Sequence, residues 1–288
     1  MSQASTQKSF LSRFLAGGAA PRNAAFSKKQ VESGVRLDFP MLDLSSPSIH
    51  WNKNVHLLNL VNLPRRALSG PVQEDKADAH ALLKNVVTSE EYELAKFDLC
   101  DMYGFNTGDS GLLPYENLDR MTSSEVCRCI RIISMRDFEK VLNEVIPGFA
   151  DTPVVELYAS ELLGLNYFWS DEQNTEKLAC LIVYARRRGI PLQVAAKVTK
   201  AVVSRSALRF LSDCYHVLAM PASAWSDKSF MRYLIDFPVP YVRLPISRGS
   251  NQTEVLLLPR QSTNANILGE GLIAAGAQDA AMFLLDNL

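Results

Sequence analysis

Apolar positions along this chain follow two rhythms, and the two alternate most clearly between Thr175 and Met220. Thr175–Arg188 reads as a helix ended by Gly189, Leu192–Val198 as a buried strand, Ser204–Ser212 as a second helix and Tyr215–Met220 as a second strand. Helix and strand in alternation predict a parallel α/β sheet.

The flanking segments extend this reading. Val35–Leu44 alternates apolar and polar residues, which predicts an edge strand interrupted at Pro40. Ala77–Val87 repeats at helical spacing. Thr88-Ser-Glu-Glu91 then resembles a cap for a helix over Glu91–Tyr103, and Thr122-Ser-Ser-Glu125 a capping box for one over Glu125–Ile133. Ser134 can cap a further helix, Arg136–Ile146. Asp151–Tyr158 fits a proline-started helix or a strand equally well. Leu165–Trp169, Tyr241–Ile246 and Glu254–Leu258 read as strands, and Ser226–Phe237 and Gly271–Leu285 as helices.

The fold expectation is therefore α/β. A parallel or mixed sheet flanked by helices occupies about 150–288, edge strands and a helical subdomain about 32–149, and a basic flexible tail 1–31. That tail holds Lys8, Arg13, Arg22, Lys28 and Lys29 without an acid, and Phe10, Leu11, Phe14 and Leu15 form a small apolar face. It fits a docking segment or, less well, a targeting peptide.

Composition narrows the class without naming an activity. The chain has 288 residues and a net charge of -1, so any attraction to nucleic acid or acidic lipid must be local. No apolar run reaches the ~20 residues of a membrane span. Five cysteines, an odd number in apolar or helical surroundings, suggest reduced thiols and a cytoplasmic protein. On a helix Cys127 and Cys129 would point about 200° apart, a poor metal pair. His50 and His56 have no metal-ligand spacing.

The one long block of single-sign charge contains Lys177, Arg186, Arg187, Arg188, Lys197, Lys200, Arg205 and Arg209, with no acid between Glu176 and Asp213. Three arginines at a helix end favour the helix dipole and need no ligand. If Lys197, Lys200, Arg205 and Arg209 share one end of the sheet, they would face a phosphate, a nucleic acid or an acidic partner.

Other chemistry is thin. Neither a P-loop nor a dinucleotide fingerprint is present, and Gly269-Glu-Gly271 places an acid where phosphate would sit. There is no nucleophile elbow. Cys214 and His216, two apart on a predicted strand, would share a face. Asp151, Glu156, Glu161, Asp171 and Glu172 lie near predicted strand or helix ends, and Asp171 follows the strand at Leu165–Trp169, where ligands gather in open α/β sheets; turn and cap acids would look the same. No cofactor is implied.

These observations favour an adaptor or structural subunit that binds other proteins through the basic patch and tail. The competing expectations are an enzyme acting on a phosphorylated or nucleotide substrate, and a nucleic-acid-binding protein.

Overall fold

The computed structural model describes residues 26–42, 48–50, 60, 63–106, 115–164, 166–170, 173–246 and 253–288. In chain order the elements are α1 (Lys28–Gly34), α2 (Gln73–Leu83), β1 (Val87–Asp98), β2 (Gly104–Phe105), α3 (Leu118–Thr122), α4 (Met135–Val145), β3 (Val154–Ser160), β4 (Tyr167–Trp169) and α5 (Thr175–Arg188). They continue as β5 (Gln193–Val203), α6 (Arg205–Cys214), β6 (Tyr215–Pro221), α7 (Lys228–Asp236), β7 (Val242–Pro245), β8 (Thr253–Pro259), α8 (Thr263–Ala274) and α9 (Ala280–Asp286). The class is α/β with a mixed sheet flanked by helices, as the two rhythms predict.

The strands form two sheets. The larger runs β1-β5-β3-β4-β2, with β3 and β5 parallel and β1 antiparallel to β5. The smaller runs β6-β8-β7 and is antiparallel throughout. The expected parallel pairing of the strands around α6 is therefore corrected: β5 and β6 lie in different sheets. The parallel partner of β5 is β3, and α5 lies in the connection between them.

β5 joins the cores of the two sheets. Val194, Ala196 and Val198 turn one face toward α5, where Leu178, Leu181, Ile182 and Ala185 are all buried. Ala201 and Val203, of opposite parity along the strand, pack with Leu208 and Leu211 of α6. The smaller sheet is covered on both faces. Leu218, Met220, Leu256 and Leu258 meet Ala265, Leu268 and Leu272 of α8. Val217, Val255 and Leu257 meet α6, and Ala280 and Ala281 of α9.

Four further expectations are corrected. The helix over Glu91–Tyr103 is the long strand β1. Its register against β5 shifts between Leu94 and Phe97, so core-facing residues there stand three apart and imitate helical spacing. The helix over Glu125–Ile133 shrinks to a 3-10 turn at Glu125–Cys127, whose preceding Ser124 makes no side-chain cap bond. The C-terminal helix is two, because Asp279 starts α9 by accepting from Ala281 N (2.9 Å) and Met282 N (3.0 Å). The described part of Val35–Leu44 pairs with no strand; instead Leu42 N donates to Gln278 Oε1 at 2.6 Å.

Other boundaries follow their local chemistry. Ser134 and Asp137 form a capping box that starts α4, and Gly189 closes α5 by donating to Ala185 O and Arg186 O. The ambiguous segment before Tyr158 is a strand. Of the basic segment expected over 1–31, residues 1–25 lie outside the described residues. Residues 28–31 belong to α1, where Ser27 and Gln30 cap the helix and Val31 is fully buried. Among the described residues no helix is long and apolar enough to cross a membrane.

Candidate functional site

The basic block is divided by its local partners. Lys177 pairs with Glu144 of α4 at 2.9 Å, and Arg187 with Asp119 of α3 at 2.9 Å. Arg186 donates through Nε to Cys100 O and through Nη2 to Met102 O, both at 2.8 Å, and so clamps the turn after β1. Arg188 lies over the Tyr184 ring, 5.5 Å from its centroid. On β5, Lys197 bonds Glu91 at 2.9 Å and stands in register between Glu93 and Glu156. The Glu91 hydrogen bond, then the carboxylate charges, push its ammonium pKa upward. Lys200 approaches Glu161 at 4.0 Å.

Arg205 and Arg209 differ from these six: among the described residues neither makes an ion pair, a side-chain hydrogen bond or a ring contact. They stand one helical turn apart on α6, which begins at Ser204, whose Oγ accepts from Ala207 N at 3.3 Å. Leu208 and Leu211 bury the opposite side of the helix. The outward arc carries Arg205, Ser206, Arg209, Phe210 and one acid, Asp213. Phe210 is 58% exposed. A large exposed aromatic beside two unpaired guanidiniums has the composition of a protein-contact surface, since aromatic and arginine side chains are enriched at interfaces. Its signal was present in the sequence: at 3.6 residues per turn Phe210 falls off the Leu208–Leu211 stripe.

The second cluster is buried. His216 on β6 is 1% exposed. Asn266 Nδ2 donates to Glu270 Oε1 at 3.1 Å, which turns Asn266 Oδ1 toward the ring, 2.8 Å from His216 Nε2. An acceptor at that position requires the proton on Nε2. Nδ1 then presents a lone pair with no partner among the described residues. Arg260 Nη1 lies 3.3 Å from Nε2, while its Nε donates to Ser212 O at 2.8 Å. Burial lowers the imidazole pKa; the Asn266 bond opposes that shift and the Arg260 charge adds to it. The ring is held neutral and closed to a substrate.

Cys214 does not share its face. α6 runs through Cys214, so strand alternation starts at Tyr215; Cys214 packs with the Tyr215 and Val217 side and His216 points to α8. Gly269 and Gly271 also acquire a different role. They stand inside α8 rather than at its start. A Cβ on Gly269 would meet the His216 ring, and one on Gly271 would lie 2.4 Å from Val31 Cβ. Their absence of side chain lets β6 and α1 approach the helix.

Of the remaining candidates, Asp171, Glu172 and His56 lie outside the described residues. Asp151 is exposed in a 3-10 turn, Glu156 lies on the open face of the large sheet, and His50 is buried beside Phe105. Among the described residues no group of three or more His, Cys, Asp or Glu could hold a metal ion.

A family model matches residues 92–288. The chain belongs to that family, described as a family of unknown function (DUF6685). The DUF6685 match takes in most of β1, every other strand, α6 and the whole basic block, and leaves α1 and α2 outside. No curated protein matches this chain, and no solved structure does.

Proposed function

We propose that this DUF6685 protein is a non-catalytic adaptor or structural subunit that holds an acidic segment of a protein partner against α6. The observation behind this reading is the outward arc of α6, where Phe210 is 58% exposed next to Arg209, and where Arg209 and Arg205 lack ion pairs among the described residues. The aromatic ring supplies apolar contact, and the guanidiniums supply steering and paired hydrogen bonds to carboxylates. The basic residues of 1–31, including the exposed Lys28 and Lys29 of α1, add a second cationic arm. The odd number of cysteines, in apolar or helical surroundings, favours reduced thiols and with them a cytoplasmic protein.

The test uses the full chain with a photo-crosslinking amino acid at position 210, expressed in its own cells. The expected adduct is one dominant protein, joined through an acidic peptide. Arg205→Glu with Arg209→Glu should abolish that adduct while the melting temperature stays within about 2 °C, since surface changes of this kind cost little. An adduct unaffected by charge reversal would overturn the reading. Salt-dependent retention of DNA or RNA, lost in the same double variant, would put nucleic-acid binding in its place. A nucleotide-dependent rise in melting temperature would favour the enzyme.

A further inference from the structure

We propose that Cys127 and Cys180 are an oxidative modification site, two thiols positioned to close into one disulfide that staples the turn at Glu125–Cys127 to α5. One contact places the two side chains near each other, and each thiol is among the groups that shift the other's ionisation. Cys127 Sγ lies 4.0 Å from the carbonyl oxygen of Glu176. Glu176 is one helical turn before Cys180, and helical side chains lean back over the preceding turn. The Cys180 sulfur therefore reaches toward the spot where Cys127 already sits.

The turn has no side-chain cap at Ser124, and Val126 beside Cys127 is 44% exposed. Cys127 itself is 2% exposed, whereas Cys129, two residues on, is open to solvent. Burial raises both thiol pKa values, that of Cys180 to about 12. Little thiolate forms in the closed state, so the reaction is slow and passes through opening of the turn rather than direct attack.

The oxidant is a low-molecular-weight disulfide such as oxidised glutathione. Cys127, deprotonated in the opened turn, attacks one glutathione sulfur, and reduced glutathione leaves. Cys180 then attacks the Cys127 sulfur of the mixed disulfide, and a second glutathione leaves with the remaining proton. Two thiols lose two electrons and two protons; one glutathione disulfide becomes two thiols.

Trypsin can separate the outcomes, because Arg128 stands between Cys127 and Cys129. The full-length native protein is equilibrated with oxidised glutathione, alkylated without reduction and digested. The expected product joins residues 121–128 to residues 178–186 and is lost on reduction. It should persist in Cys129→Ser and vanish in Cys180→Ser, with the native protein's melting temperature rising by several degrees on oxidation. Full alkylation of both Cys127 and Cys180, a link made through Cys129 instead, or glutathione left on Cys180 would each overturn the proposal.

Discussion

The His216 ring occupies the space that a side chain on Gly269 would need: a Cβ there would lie 2.3 Å from His216 Cδ2 and 2.5 Å from Cγ. This contact sets how closely α8 lies on the smaller sheet. It also encloses a buried imidazole that bonds Asn266, which in turn donates to Glu270.

Gly269→Ala should therefore destabilise the protein by about 1–3 kcal/mol, the cost of overpacking a tight contact. His216→Ala should lower stability alone, by loss of packing, yet soften the effect of Gly269→Ala. A double-mutant cycle in urea should return a coupling of about 1 kcal/mol. Additive effects would show that the two residues do not share this space.

Stability should fall as the medium becomes mildly acidic. The folded pKa of His216 is lowered from 6.5, mainly by burial, so near and below pH 6.5 the unfolded chain binds the proton first. The contribution is complete above about pH 6.5 and is lost progressively as pH falls toward the folded value. The slope cannot exceed about 1.4 kcal/mol per pH unit for one group. Urea midpoints measured between pH 7.5 and 5 should show the decline, and His216→Gln should flatten it. An unchanged profile in that variant would assign the pH dependence to another group.

The three arginines ending α5 should be unequal. Arg186→Ala removes both donors to Cys100 O and Met102 O and should cost about 1.5–3 kcal/mol, as charged hydrogen bonds do. Arg187→Ala breaks an exposed pair with Asp119, worth about 0–1 kcal/mol. Arg188→Ala removes a surface contact with the Tyr184 ring, about 0.5–1 kcal/mol. Melting temperatures should rank Arg186→Ala lowest; similar values for all three would refute the clamp.

Thr152 holds φ 48, in the left-handed region, after the 3-10 turn at Phe149–Asp151. A β-branched side chain there costs about 1–2 kcal/mol. Thr152→Gly should relieve that strain and, after the greater chain entropy of glycine, leave the protein equal in stability or up to about 1 kcal/mol more stable. A clear loss of stability would mean that the threonine side chain contributes more than its strain removes.

Much of the α/β layering is local and was legible. α5 combines an apolar stripe with a Gly189 stop, and α4 carries its Ser134 cap in sequence; neither depends on distant partners to be recognised. β1 misled for a physical reason. Its Glu, Leu, Ala and Lys residues favour helices, and the irregularity between Leu94 and Phe97 replaced a spacing of two with one of three. Pairing with β5 overrode that local preference.

The candidate sites divide in the same way. Sequence alone placed eight cations in one acid-free stretch, because charge and order along a chain are one-dimensional properties. Which of them remain without a carboxylate depended on Glu91, Asp119, Glu144 and Glu161, all more than fifteen residues distant from their cation and brought near only by packing. The glycines of α8 show the same limit. Their number was plain, but the need for them arises from His216 and Val31, whose closeness exists only once strands and helices have stacked.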